Sequence, residues 1–223
     1  AECMTWFLNN GTSIEAATLR GLTLLHLSCR AGKVKSARQL CKLGANILSK
    51  DAKGFTALMH AAARSHNHVI HILLRHMAQN WDSEENHPSR VVNMNTNLCW
   101  TPLTLCTREG NAEGLQLFLE YEPEPDAFTK TGFSALGIAA RDGNARIANL
   151  LVQRFGADVN AQNAAGRSPL HFACQYGATD VAKLLLSNGA AVDIEDLDGN
   201  TPLILACGSN NHGQISTIKL LLQ

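Results

Sequence analysis

The chain has 223 residues, 45% hydrophobic and 17% charged, enough apolar material to bury about 70% of the surface an unfolded chain would expose and to exclude long disorder. Lys plus Arg and Asp plus Glu each total 19, so the formal charge is zero. Duplex nucleic-acid binding is therefore not expected, because phosphate neutralisation calls for a basic excess, although the balance leaves room for local basic patches.

Chain order reveals a repeated module. Residues 1–20 read as a partial copy: Gly11 precedes Gly21 by ten residues, as Gly44 precedes Gly54, and Trp6, Phe7 and Leu8 fall where a second helix would carry its apolar side chains. Repeats then follow near 21–53, 54–98, 99–131, 132–165, 166–198 and 199–223. Each is anchored on a small hydroxyl residue two places after a glycine: Thr23, Thr56, Thr101 (where Cys99 replaces the glycine), Ser134, Ser168 and Thr201. The anchors are 33, 45, 33, 34 and 33 residues apart, and a period in this range dictates a repeat architecture. The hydroxyl caps a first helix, with Pro102, Pro169 and Pro202 suited to its opening turn. Two residues on comes leucine in every copy, and five on a small residue (Ser28, Ala61, Cys106, Ala139, Ala173, Ala206) that lets neighbouring helices approach. Nine on, Gly32, Gly110, Gly143 and Gly177 close the helix in a left-handed conformation, with Ser65 and Asn210 as departures. A second helix with apolar pairs such as Leu73–Leu74, Phe118–Leu119 and Leu185–Leu186 precedes the turn to the next anchor.

Two segments break the period. About a dozen extra residues, within Ala78–Asn97, are polar and turn-rich and are expected to project as a longer finger carrying an exposed Trp81. About three extra residues follow Ala206. Neither end carries a polar cap, so the chain is expected to open and stop inside repeats, as a fragment of a longer protein.

This pattern resembles the ankyrin repeat, most clearly at Gly166 to Gly177 (GRSPLHFACQYG) and Gly199 to Gly208 (GNTPLILACG). The resemblance implies an all-α solenoid of stacked helix–turn–helix units with hairpin fingers, forming one array over residues 1–223. It also implies that residues facing the concave groove contact a partner. The residue before each anchor belongs to that edge and reads Leu22, Phe55, Trp100, Phe133, Arg167 and Asn200. Seven past the anchor the column reads Arg30, Ala63, Arg108, Arg141 and Gln175, and the next holds Arg64 and Tyr176. Aromatic and arginine side chains together are the composition of binding hot spots. The candidate partner-binding residues are thus Phe55, Trp100, Phe133, Arg30, Arg64, Arg108, Arg141, Arg167, Tyr176 and Trp81. Local ion pairs of Arg108 with Glu109 and Arg141 with Asp142 are the competing structural reading.

Catalytic signatures are missing: no G-x-S-x-G, H-E-x-x-H or phosphate loop occurs. The acidic run from Glu120 to Asp126 is interrupted by prolines and reads as a solvated hairpin edge. His26 and His171 occupy a motif position suited to bonding nearby backbone, and His66, His68, His71 and His76 suit a solvated face better than a zinc site. Seven cysteines without a C-x-x-C pair point to reduced thiols in a cytoplasmic or nuclear protein. No apolar run reaches the ~18 residues of a membrane helix. No enzyme, metal or cofactor is expected. The expected function is a monomeric protein-interaction module taking an extended peptide or loop with apolar and acidic or phosphorylated groups. The alternatives are a nucleotide- or oligonucleotide-sensing domain, and a regulatory or scaffolding segment of a larger protein.

Overall fold

The computed structural model describes residues 11, 13–80, 87–208 and 214–222. Described residues form helices and turns with no strand, only an isolated bridge between Ala17 and Thr23. The chain divides into two compact units, one ending at Pro123 and the other running from Glu124 to Gln223.

In the N-terminal unit the helices are α1 (Leu24–Arg30), α2 (Val34–Lys42), α3 (Ala57–Ala62), α4 (Asn67–Asn80), α5 (Pro88–Val92), α6 (Pro102–Arg108) and α7 (Ala112–Gln116). First helices stack as α1 on α3 on α6, and second helices as α2 on α4 on α7. The C-terminal unit holds α8 (Ala135–Arg141), α9 (Ala145–Phe155), α10 (Pro169–Tyr176), α11 (Thr179–Ser187), α12 (Pro202–Gly208) and α13 (Gln214–Leu221). Here α10 lies between α8 and α12, and α11 between α9 and α13.

The anchor hydroxyls begin the first helices as expected. Those of Thr56, Thr101 and Ser134 accept from the backbone N–H three residues on, at 3.3, 3.2 and 3.1 Å. The return bond comes from unusual residues: Met59 Sδ, Thr104 Oγ1, His26 Nδ1 and His171 Nδ1 accept from the anchor's own N–H. The small residue five past each anchor is buried in every copy, which is what close helix stacking requires. At the closing position Gly32, Gly110, Gly143 and Gly177 have φ between 65° and 69°, and Ser65 adopts 55° without the freedom of glycine. Cys99 likewise stands at φ 59° where other copies have glycine.

The inserted segment differs from a polar finger. α4 continues to Asn80, and the Pro at 88 starts a further short helix whose Val91 and Val92 are only 1% exposed. An apolar pair on one face of a single helical turn suffices to fold that part of the insertion against α4. Trp81 lies outside the described residues, as do Trp6, Phe7, Leu8 and Asn210. The third repeat also departs: α7 stops after five residues, a 3-10 turn covers Leu119–Tyr121, and Glu122 adopts a left-handed φ of 49° before Pro123. Phe118 nevertheless remains fully buried. Within the acidic run, Asp126 is more than a solvated edge, since its carboxylate accepts from the Asp158 N–H at 3.1 Å.

Candidate protein-interaction surface

One hydrogen-bond device sets the position of every residue before an anchor. Three places before each turn glycine, or before Cys99 in the third repeat, stands a side-chain acceptor: Thr18, Asp51, Thr96, Thr129, Asn163 and Asp196. Asp51 accepts from the N–H groups of Lys53 and Phe55, both at 2.9 Å. Thr96 does so for Leu98 and Trp100, Thr129 for Phe133, Asn163 for Ala165 and Arg167, and Asp196 for Asp198 and Asn200. A turn locked at both amides leaves the following residue one orientation. This column was readable in the sequence as a run of small polar residues at fixed phase.

His26 and His171 tie each anchor to the next repeat. The anchor N–H donates to Nδ1, which leaves the ring proton on Nε2. In His26 it faces the carbonyl oxygens of Ser49 and Phe55 at 3.0 and 3.1 Å, and in His171 that of Asn200 at 3.0 Å. Burial holds the His171 pKa below the usual histidine value.

In the N-terminal unit, Phe55 and Trp100 are half-buried. The Arg108 guanidinium lies 4.8 Å from the Trp100 ring centre, and its Nε and Nη2 donate to Glu109 Oε1 at 3.0 and 2.9 Å. Phe55 has no arginine at the equivalent place, where Ala63 stands. His60 takes that role, tilted against the ring at 5.1 Å and 3.0 Å from Asp51 Oδ2. Burial depresses the His60 pKa more than Asp51 raises it. Arg30 and Arg64 are exposed and make no ion pair among the described residues.

The C-terminal unit repeats the Trp100 arrangement. Arg141 lies 5.1 Å from the Phe133 ring centre and grips Asp142 through Nε and Nη2 at 2.7 and 3.1 Å, which keeps the guanidinium firmly protonated. Phe133 also packs on Phe172 with ring centres 4.6 Å apart. Arg141 and the exposed Tyr176 line a shared open cleft of about 350 Å³, together with Thr179 and Asp180. Arg167 donates to the buried Asp196 carboxylate at 3.0 Å. Hydrogen bonds from Asn200, Arg167 and Asp198 outweigh the effect of burial and hold that carboxyl below the usual range.

The structure therefore joins Trp100 with Arg108, and Phe133 with Arg141 and Tyr176. The ion pairs Arg108–Glu109 and Arg141–Asp142 are present as well, clamping the same guanidinium groups that cover the rings. Burial pushes the Cys29 and Cys174 thiols up to about 12 and Cys41 to about 11, far from the thiolate form a nucleophile needs. Among the described residues no three His, Cys, Asp or Glu side chains converge as metal ligands, and no helix is long and apolar enough to cross a membrane.

Three copies of the family profile described as ankyrin repeats match residues 1–85, 85–163 and 144–223. The mouse protein phosphatase 1 regulatory subunit 27 is 35% identical over 96 residues, 43% of this chain and 62% of that protein. The Caenorhabditis elegans ankyrin repeat and KH domain-containing protein mask-1 is 34% identical over 125 residues, 55% of this chain but 5% of that protein. The chain thus spans less than two thirds of either relative. Among solved structures, the ankyrin repeat domain of Bcl-3 superposes with a TM-score of 0.79 at 24% identity, covering 98% of this chain and 91% of that one. That of human ASB11 gives 0.78 at 20% identity, covering 99% and 91%. The chain belongs to the ankyrin-repeat family.

Proposed function

We propose that the chain is a protein-interaction module whose first-helix ends and adjoining turns hold an extended segment or loop of a partner protein. One observation carries the reading: the same triplet occurs in both units, an aromatic ring, a guanidinium laid over it eight residues on, and a carboxylate next to that guanidinium (Trp100–Arg108–Glu109 and Phe133–Arg141–Asp142). Fixing rotamer-rich side chains before binding lowers the cost of association. Aromatic and arginine side chains are also the residues that dominate interface energetics. Each guanidinium retains donors beyond those given to its carboxylate, suited to acidic or phosphorylated groups on the partner. Nucleotide sensing is less well supported, because one face of each ring is already covered by a guanidinium. A regulatory or scaffolding segment of a larger protein accords with the limited share of each relative that the chain spans.

The test is affinity capture by the intact chain, compared with Trp100→Ala and Phe133→Ala variants shown to melt cooperatively. Polypeptides recovered by the unmodified chain should drop by about tenfold or more with each variant, as hot-spot truncation predicts. Equal recovery by all three would overturn the assignment of this surface.

A further inference from the structure

The zero net charge conceals a strong segregation. Residues 16–80 contain ten lysines and arginines but a single carboxylate, Asp51, and that one is committed to His60 and its own turn. Part of this charge lines a channel on the second helices, away from the first-helix residues considered above. On α2, Arg38 and Lys42 stand four residues apart; on α4, His71, Arg75 and Gln79 recur every four residues. Side chains at that spacing share one face of a helix. The two helices pack side by side and enclose a channel of about 320 Å³. Arg38, Lys42 and Arg75 are exposed at its rim, whereas Cys41 is buried and Ile72 half-buried beneath them.

Arg108, Arg141 and Arg167 each have a carboxylate of this chain within 3.0 Å or less. Arg38, Lys42 and Arg75 make no ion pair among the described residues, although they crowd like charges around one opening. We propose that the channel between α2 and α4 is a docking site for an acidic peptide segment of a partner protein. One apolar side chain rests on Ile72, and the flanking carboxylates meet Arg38, Lys42 and Arg75.

A peptide fits better than a nucleic acid. The step from Arg38 to Lys42 spans about 6 Å along the helix, comparable to two residues of extended chain at about 3.3 Å each, and no phenylalanine, tyrosine or tryptophan lines the channel as a broad platform for bases. The apolar floor gives a leucine-like side chain a place that phosphate alone would leave unused.

The probe is a fluorescein-labelled synthetic peptide in which single leucines alternate with pairs of glutamates, titrated by anisotropy against the full chain. Binding should weaken as salt rises from about 50 to 300 mM. It should fall by about tenfold or more in R38E/R75E, since reversing two rim charges replaces attraction with repulsion. Replacing the leucines by serine should weaken it about fivefold, in line with loss of a buried apolar side chain. The proposal is overturned if the unmodified chain does not bind, if R38E/R75E binds equally, or if polyglutamate or a short DNA duplex binds as tightly as the leucine-bearing peptide. Both substituted arginines are exposed; should R38E/R75E melt early, R38Q/R75Q carries the same comparison.

Discussion

The guanidinium of Arg108 lies over the Trp100 ring at 4.8 Å, while its Nε and Nη2 hold a single oxygen of Glu109. Arg141 repeats this with Phe133 and Asp142. Two neighbours thus fix one side chain that sits on an accessible surface, which separates what the residue does for stability from what it does for binding.

Replacing Arg108 by Ala should lower folding stability by no more than about 1 kcal/mol, since exposed cation–π contacts and surface ion pairs are each modest. Its effect on partner binding should be larger, about tenfold or more, as expected of an interface arginine. Urea titration checks the first figure and affinity for a captured partner the second. A stability loss of several kcal/mol with unchanged affinity would identify the triplet as purely structural.

His171→Ala should cost about 2–4 kcal/mol. It strips the Ser168 N–H and the Asn200 carbonyl of their partners, and each unsatisfied buried group costs about 1–3 kcal/mol. His26→Ala should behave alike, because Nε2 there serves Ser49 and Phe55. The check is the denaturant midpoint, with the slope unchanged.

Stability should decline as pH falls below about 6.5. His60 and His171 have folded-state pKa values depressed by burial. Below 6.5 the unfolded chain therefore binds protons that the folded chain resists, and stability present at neutral pH is lost through the folded pKa values. The dependence on each histidine is at most about 1.4 kcal/mol per pH unit. Urea midpoints at about pH 7.5 and 5.5 measure it, and His60→Gln should flatten the difference. An unchanged slope in that variant would contradict the assignment.

Ser65→Gly and Cys99→Gly should each raise stability by about 0.5–1 kcal/mol. Both residues hold left-handed φ values, 55° and 59°, that cost an L side chain about 1–2 kcal/mol, and the greater chain entropy of glycine offsets part of the relief. Thermal melts of the single variants provide the measurement.

Much of this protein was legible from its residues alone. The phase of Thr23, Thr56, Thr101, Ser134, Ser168 and Thr201 located all six first helices, because capping, proline at the opening turn and left-handed closure are local demands met by local residues. The same register put Trp100 and Phe133 in one column of the candidate surface and Arg108 and Arg141 in another, but that each guanidinium lies over the ring eight residues before it came from the packing. The fold of the insertion was not legible, because the burial of Val91 and Val92 depends on α4 being beside them. The early end of α7 at Gln116 was not legible either, because periodicity alone does not register where a second helix breaks off.

What the sequence by itself determined was the module, its caps and its count of copies, all set by interactions between residues a few places apart. Only the tertiary structure decided which charges were neutralised. Glu109, Asp142 and Asp196 pair with Arg108, Arg141 and Arg167, whereas α2 and α4 bring Arg38, Lys42 and Arg75 to one opening where, among the described residues, no carboxylate pairs with them. Electrostatic energy depends on distance through space, and residues 38 and 75 become neighbours only when their helices pack.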